Sequence, residues 1–166
     1  MKNNCIYYVE GQCEEKLLKA LKEQPQKIQA GRVKVFNVIQ NILSNSQLIT
    51  IQPGTTVALV FDTDIPLTEC LMENIRRLSQ YCSKTKIVFL PQVMNFEDEL
   101  IRCSDLRSVA NLTHSRSNKD FKRDFCAMTN TRVALERVNL SVERLWTEDP
   151  PAEFAFLEKN SDFIKR

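Results

Sequence analysis

The chain has 166 residues, of which 43% are hydrophobic and 27% are charged, and its formal net charge is +2. This length and composition are those of one ordinary domain that can bury a full core. Its apolar runs are too short for a membrane span, which excludes an integral membrane protein, and the small net charge does not by itself indicate a nucleic-acid binder.

The first half of the chain alternates strand-like and helix-like patterns. Residues 5–9 and 33–38 are apolar runs that predict two strands, and residues 14–23 between them predict an amphipathic helix. Residues 39–51 predict a short helix followed by an irregular segment. Residues 56–61 form the strongest predicted strand, with the nearly unbroken apolar run expected when helices cover both faces of a sheet.

The pattern continues with one more helix and one more strand. Apolar residues spaced from Leu67 to Cys82 predict an amphipathic helix, and residues 85–90 predict a strand bounded by Pro91. This alternation predicts an α/β fold with a mostly parallel, four-stranded sheet and helices on both faces. After Phe96 the chain carries helical patterns to its end.

Carboxylates follow three of the predicted strands. Glu10 ends the first strand, Asp62 and Asp64 end the third, and Glu97 lies a few residues beyond the fourth. Because the carboxyl ends of parallel strands meet at one edge of a sheet, we expect these side chains to converge. Asp62 and Asp64 are two residues apart, so in extended chain their side chains point to the same side.

Clustered carboxylates repel one another unless a cation lies between them. Oxygen-only ligands favour Mg²⁺ or Mn²⁺ over zinc, and a partly hydrated Mg²⁺ completes its shell with phosphate oxygens. The expected chemistry is therefore metal-assisted phosphoryl transfer. Each residue also has an ordinary interpretation: a turn residue for Glu10, helix caps for Asp62 and Asp64, a first-turn charge for Glu14, and a solvated helix position for Glu97.

The spacing of these acidic residues resembles a known family. Residues 9–18, V-E-G-Q-C-E-E-K-L-L, resemble the E-G-x-x-E opening of Toprim domains, and residues 60–64, V-F-D-T-D, resemble the matching D-x-D motif. Residues 95–97, N-F-E, resemble the later acidic motif of Toprim nucleases of the OLD (overcoming lysogenization defect) and RloB-like kinds. The resemblance covers roughly residues 5–100.

The resemblance implies a Toprim catalytic domain over residues 1–100 and a helical extension, residues 101–166, packed on the same domain. It implies that Glu10 is the general acid/base or a metal-associated glutamate. Asp62 and Asp64 would bind a first Mg²⁺ or Mn²⁺, and Glu14 and Glu97 would help to hold a second.

The resemblance also implies partners. OLD-like and RloB-like proteins are associated with phage defence and with cleavage of DNA or RNA, and many work beside an ABC-type ATPase. This sequence has no G-x-x-x-x-G-K-[ST] motif, so the ATPase would be a separate chain. We also expect a homodimer, because small Toprim nucleases often need a second chain to grip a duplex.

A basic segment follows the predicted α/β region. Arg116, Lys119 and Arg123 fall at i, i+3 and i+7, which on a helix makes a basic stripe opposite an apolar face. Such a stripe would bind nucleic-acid phosphates and make the affinity depend on salt. An ordinary solvated helix face fits the same spacing, because two aspartates interrupt the stripe.

The cysteines and the amino-terminal segment bear on location. Six cysteines are scattered without a C-x-x-C pair, and the only histidine, His114, has no cysteine pair beside it, so a structural zinc site is not expected. Free thiols are typical of a reducing compartment, and the first residues lack the apolar stretch of a signal peptide. We therefore expect a cytoplasmic protein.

The leading hypothesis is Mg²⁺- or Mn²⁺-dependent hydrolysis of nucleic-acid phosphodiesters. The alternative is a Toprim subunit that is not catalytic alone and serves an ATPase-containing defence complex. The D-x-D motif also occurs in haloacid dehalogenases and glycosyltransferases. Here Ile65 and Pro66 follow it instead of Gly-Thr, and neither class accounts for Glu10 and Gly11.

Overall fold

The computed structural model describes residues 4–23, 25–82 and 84–166. Residues 1–3, on which part of the expected cytoplasmic location rests, lie outside these ranges. Every helix in the described ranges is too short or too polar to span a lipid bilayer.

Four parallel strands form one sheet in the order β2-β1-β3-β4. The strands are β1 Cys5–Val9, β2 Arg32–Val35, β3 Thr56–Asp62 and β4 Lys86–Gln92. The predicted α/β architecture, with a parallel four-stranded sheet flanked by helices, is confirmed. The arrangement is consistent with a Toprim-like fold.

Helices cover both faces of the sheet because side chains along each strand alternate between them. In β1, Tyr7 packs in the cluster shared with the first helix and the carboxy-terminal helices, whereas Tyr8 packs in a second cluster on the opposite face. The helices are α1 Gln12–Lys22, α2 Asn45–Ile49, α3 Glu69–Tyr81, α4 Phe96–Arg102, α5 Val109–Thr113, α6 Phe121–Ala127 and α7 Thr131–Arg137.

The carboxy-terminal extension packs on both faces of the sheet: α6 and α7 lie on the α1 face, and Phe154 stacks on Phe61 in the opposite cluster. Helices α6 and α7 both contact α1. The rings of Phe96, Phe121 and Phe125 lie together, with centroids 5.3 to 6.2 Å apart, so α4 and α6 share one core. The extension is less regular than predicted: in its described residues after α7, helical structure is limited to 3-10 turns at Ala152–Phe154 and Ser161–Ile164.

Pro91 lies inside β4, although the sequence predicted that it would bound the strand. The Gln92 carbonyl accepts a hydrogen bond from the Thr63 N–H at 3.1 Å, so the backbone polar groups of Gln92 point towards β3. The backbone of Pro91, one position earlier, therefore points towards the open edge of the sheet. Proline is tolerated there because β4 is an edge strand and its missing N–H has no strand to bond. The strand therefore continues through Pro91 to Gln92.

A side chain from the extension occupies the same open edge of β4. The Asn160 amide oxygen accepts the Phe89 N–H at 2.8 Å, and its amide nitrogen donates to the Ile87 carbonyl at 3.0 Å. One side chain thus pairs a donor and an acceptor that a neighbouring strand would otherwise satisfy.

The irregular segment before α2 is held by one buried amide. Asn74 in α3 is fully buried, and its amide oxygen accepts the Leu43 N–H at 2.7 Å. Its amide nitrogen donates to the carbonyls of Val38 at 3.0 Å and Asn41 at 2.8 Å. Three backbone groups of the segment therefore depend on this side chain.

We expect Asn74→Ala to lower the free energy of unfolding by about 2–4 kcal/mol, because it leaves buried backbone groups without partners. Chemical denaturation of the variant and the wild type measures the difference. The matched control is Asn111→Ala, at an exposed position of α5, which should change the free energy by less than about 0.5 kcal/mol. Equal losses in both variants would contradict this account of the segment.

Candidate functional site

The carboxyl ends of β1 and β3 place two carboxylates side by side. Glu10 directly follows β1, and Asp62 is the last residue of β3, which pairs with β1. The Glu10 Oε2 atom accepts a hydrogen bond from the backbone N–H of Asp62 at 3.2 Å. Glu10 therefore points towards the end of β3, as the predicted convergence requires.

Glu14 enters the site from the first turn of α1. It is 5% exposed, and its Oε2 atom accepts the Gly11 N–H at 3.0 Å, which closes the amino end of the helix. A Cβ atom on Gly11 would lie 3.2 Å from this oxygen, so glycine leaves room for the carboxylate. Burial raises the pKa of Glu14, and the charge of Glu10 raises it further.

Asp62 lies at the centre of the acidic group. Its side chain is buried, and its Oδ1 atom has no hydrogen-bond partner among the described residues. Burial raises the pKa of Asp62 to about 8, and the charges of Glu10, Glu14 and Asp64 act in the same direction. A buried carboxylate with an unpaired oxygen is stabilised by a proton or by a cation.

The other two predicted ligands are less closely engaged. Asp64 is exposed in the loop after β3 and acts on Asp62 through its charge. Glu97 lies half-buried in the first turn of α4, where its Oε1 atom is 3.4 Å from the Lys122 ammonium. The structure thus brings Glu10, Glu14 and Asp62 together, and it links Glu97 to them through Lys122.

Lys122 is a site residue that the sequence analysis missed. It lies in the first turn of α6, which packs on α1. Burial lowers the pKa of Lys122, but the charges of Glu97, Asp62 and Glu14 outweigh this effect, so that its pKa is raised overall. In the sequence Lys122 is one of several basic residues in its region, and only the packing of α6 places it beside the carboxylates.

Gln92 is a second residue that the sequence analysis missed. It is fully buried, and its register with Asp62 places the two side chains on the same face of the sheet. Its amide oxygen and nitrogen are both unpaired within the part of the chain that the structure describes. Gln92 is a polar residue at the end of an apolar strand, and this pattern could have identified it. Because the strand was predicted to end before Pro91, Gln92 fell outside the predicted strand.

The predicted helical stripe of Arg116, Lys119 and Arg123 is wrong, because α6 begins only at Phe121. Arg116 and Lys119 precede the helix in an exposed bend and turn. The Ser117 hydroxyl donates to the Asp120 carboxylate at 2.9 Å and stabilises this turn. Small polar residues at these positions favour the turn over continued helix.

Arg123 is the member of this group that lines the acidic cavity. It also forms ion pairs with Asp120 at 3.1 Å and Asp124 at 2.8 Å, which neutralise part of its charge. The role of Arg116, Lys119 and Arg123 in nucleic-acid binding stays a prediction.

An open cavity of about 500 Å³ lies beside the carboxylates. Its walls combine the acidic residues, the start of α1 and one side of α6: Glu10, Gly11, Gln12, Cys13, Glu14, Asp62, Lys122, Arg123 and Cys126. A larger cavity, about 700 Å³, lies at the amino ends of the strands, beside Cys5 and Arg32. None of the predicted site residues lines it. The smaller cavity is the candidate site because the unpaired Asp62 carboxylate lies in its wall.

No group of three or more His, Cys, Asp or Glu side chains in residues 4–23, 25–82 and 84–166 has a geometry that could hold a metal ion. The site carboxylates are instead bonded to protein groups: Glu10 to the Asp62 N–H, Glu14 to the Gly11 N–H, and Glu97 to Lys122. Rotation of these side chains would be needed before they could share a cation.

Comparisons with protein-family models, with curated proteins and with solved structures found no match. The function of this chain is therefore inferred from the geometry of its site and from its acidic motifs.

The raised pKa of Asp62 predicts how stability depends on pH. Its pKa in the folded state is about 8, against 3.8 as the ordinary value. The folded protein therefore holds a proton that the unfolded chain releases between about pH 4 and pH 8. In this window the contribution of Asp62 to stability falls as the pH rises.

We expect Asp62→Asn to remove this contribution. Relative to the wild type, the variant should gain stability as the pH rises from about 4 to 8, by an amount on the order of a few kcal/mol. Urea denaturation across this range, in the presence of a chelator, measures the difference. Asp162→Asn, at a carboxylate that is 92% exposed, should keep the wild-type pH dependence. Parallel curves for Asp62→Asn and wild type would show that Asp62 ionises normally.

Proposed function

We propose that this chain is a nuclease that hydrolyses phosphodiester bonds of DNA or RNA and requires Mg²⁺ or Mn²⁺. The observation that carries the proposal is the Asp62 carboxylate, which is buried, has an unpaired oxygen, and lies beside Glu10 and Glu14. A hard divalent cation is the ligand that such oxygens favour. The resemblance of residues 9–18 and 60–64 to the Toprim motifs supports the same interpretation.

Asp62 and Asp64 are the residues that would hold a first cation, and Glu14 and Glu97 would help to hold a second once Glu97 leaves Lys122. The fit rests on their oxygen donors and on the unpaired Asp62 Oδ1 atom. When bound, Mg²⁺ or Mn²⁺ would polarise the phosphate and favour ionisation of a coordinated water.

The protein groups around the cavity suit the remaining tasks of the reaction. Glu10 is held beside Asp62 by the Asp62 N–H, where its carboxylate can accept a proton from an attacking water. Lys122 can donate hydrogen bonds to a phosphate oxygen and stabilise the negative charge that develops during attack.

The distribution of positive charge favours a polyanionic substrate. Lys122 and Arg123 line the cavity, and the exposed Arg116 and Lys119 precede the same helix. Basic groups beside a catalytic site bind the phosphates on either side of the scissile bond. By the Toprim resemblance, the proposal includes a cytoplasmic role in phage defence, a separate ABC-type ATPase as partner, and a homodimer.

A second candidate is a Toprim subunit that does not cut by itself. The ion pair between Lys122 and Glu97 favours it, because the ammonium group engages a carboxylate that a second cation would need. In this case Lys122 holds the resting chain inactive until a partner complex displaces it.

The first test is cleavage of DNA and RNA substrates by purified protein in Mn²⁺. We expect Asp62→Asn and Glu10→Gln each to lower the rate by about 100-fold or more, since they remove a cation ligand and a proton acceptor. The matched control is Glu15→Gln, which neighbours Glu14 but pairs with Lys19 at 2.8 Å on the surface, and its rate should stay within about twofold of wild type. Equal cleavage by Asp62→Asn and wild type would refute the catalytic proposal.

Lys122→Met separates the two candidates. If Lys122 stabilises charge on the phosphate, the variant should lower kcat by about 10- to 1,000-fold and leave Mn²⁺ binding intact. If Lys122 blocks the site, the variant should bind Mn²⁺ more tightly and cut faster than the wild type. Steady-state kinetics and calorimetry with Mn²⁺ measure both quantities. Lys119→Met is the control: because it removes a phosphate contact outside the cavity, it should raise KM and reduce the salt dependence of KM without lowering kcat.

A further inference from the structure

Two cysteines from distant parts of the chain meet in the wall of the acidic cavity. The Sγ atoms of Cys13 and Cys126 are 3.5 Å apart, although the residues are separated by 113 positions. Cys13 is in the first turn of α1 and is 7% exposed, and Cys126 is near the end of α6 and is half-buried. Both line the cavity that contains Glu10 and Asp62.

The two helices are already joined around this sulfur pair. The Lys16 ammonium in α1 donates to the Cys126 carbonyl at 2.6 Å. The Cys13 thiol donates to the Lys122 carbonyl at 3.8 Å. These contacts hold the sulfur atoms close in the reduced protein, so little ordering is needed for them to react with each other.

Other thiols of the chain have different surroundings. Cys103 donates to the Glu99 carboxylate at 3.7 Å, and Cys82 donates to the Leu48 carbonyl at 3.8 Å, both in the buried core. Cys70 is half-buried on α3 and does not line the acidic cavity.

We infer that Cys13 and Cys126 are a modification site, a dithiol that hydrogen peroxide oxidises to a disulfide joining α1 to α6. Cys126 is the more accessible sulfur and reacts first. Its thiolate attacks the peroxide, and an S–O bond forms as the O–O bond breaks. The departing hydroxide takes up the proton that the thiol released, so the products are a sulfenic acid and one water.

The second step closes the disulfide. The Cys13 sulfur attacks Sγ of Cys126, the S–S bond forms as the S–O bond breaks, and a second water leaves with the Cys13 proton. Two thiols lose two electrons, and one peroxide is reduced to two waters. The sulfur atoms must approach from 3.5 Å to a bond length of about 2.05 Å, a distance that side-chain rotation and a small shift of α6 can cover.

The disulfide would change the site through Lys122, which lies one helical turn before Cys126. Drawing α6 towards α1 narrows the cavity and restrains Lys122 against the carboxylates. In a reducing compartment such a bond forms transiently, so the pair would report oxidative conditions. The effect on cleavage rests on the proposed function, whereas formation of the bond does not.

The test uses the full chain, first reduced and then treated with hydrogen peroxide. We expect the number of free thiols to fall from six to four, and a peptide map without reductant to contain a Cys13–Cys126 link. The oxidised protein should have a Tm higher by on the order of 10 °C, because the bond closes a long loop, and reductant should reverse the shift.

Three variants make this result specific. Cys126→Ser should lose both the link and the Tm shift, and Cys13→Ser should accumulate a sulfenic acid on Cys126 that dimedone traps. Cys70→Ser is the matched control, at the other half-buried cysteine, and it should oxidise as the wild type does. A link between any other pair, or a Cys126 sulfenic acid in the wild type that never becomes a disulfide, would overturn the inference.

The effect of oxidation on nucleic-acid cleavage is measured in a separate experiment. Oxidation should slow cleavage by the wild type and by Cys70→Ser at least about tenfold, and it should leave the rate of Cys126→Ser unchanged. A formed disulfide with an unaltered cleavage rate would overturn its effect on the site. A reduced protein that cuts no substrate would contradict the proposed function, while the peptide map and the Tm would still decide whether the dithiol forms.

Discussion

Parallel pairing between β1 and β3 is the constraint on which the rest of the site depends. The two strands run in register from Cys5 opposite Thr56 to Tyr8 opposite Leu59. Glu10, which follows β1, and Asp62, which ends β3, therefore lie together at the carboxyl ends of the strands. Burying Asp62 beside the other carboxylates is unfavourable: burial first, and then the neighbouring charges, raise the pKa of Asp62. The two hydrophobic clusters on either face of the sheet provide the stabilisation that offsets it.

The carboxy-terminal extension takes part in the site as well as in the core. Phe121 and Phe125 anchor α6 against Phe96, and this packing turns Lys122 towards the carboxylates and Cys126 towards α1. The cavity wall is therefore built from residues that are distant in sequence. A shift in the position of α6 would move Lys122 and so change the pKa values of the acidic residues, even if none of those residues were substituted.

Local pattern was sufficient to find the four strands and the acidic residues at the ends of β1 and β3. It did not give every bound, since the second strand was predicted to reach residue 38 and β2 ends at Val35. The apolar run before Asp62 identifies a buried strand, and the placement of Glu10 follows because parallel strands end at a common edge. Lys122 and Gln92 could not be found in this way, because their positions depend on which helix packs on which face and on the register of neighbouring strands. The failure at Pro91 has the same origin, since a proline breaks a central strand but not an edge strand, and the order of strands is a property of the whole fold. The helical stripe through Arg116 failed because side-chain hydrogen bonds in the Ser117 turn compete with helix formation.

The amide of Asn160 and the ring of Pro91 together have a consequence for assembly. Along the outer margin of β4, Asn160 already bonds the Phe89 N–H and the Ile87 carbonyl, and Pro91 has no N–H to offer a foreign strand. Pairing of a further strand with this part of β4 is thereby disfavoured. The opposite flank, β2, has no neighbour beyond it within the described residues, and its Val35 is 50% exposed. The β2 margin, farthest from the strand that carries Gln92, is therefore the flank that favours β-augmentation by a second polypeptide.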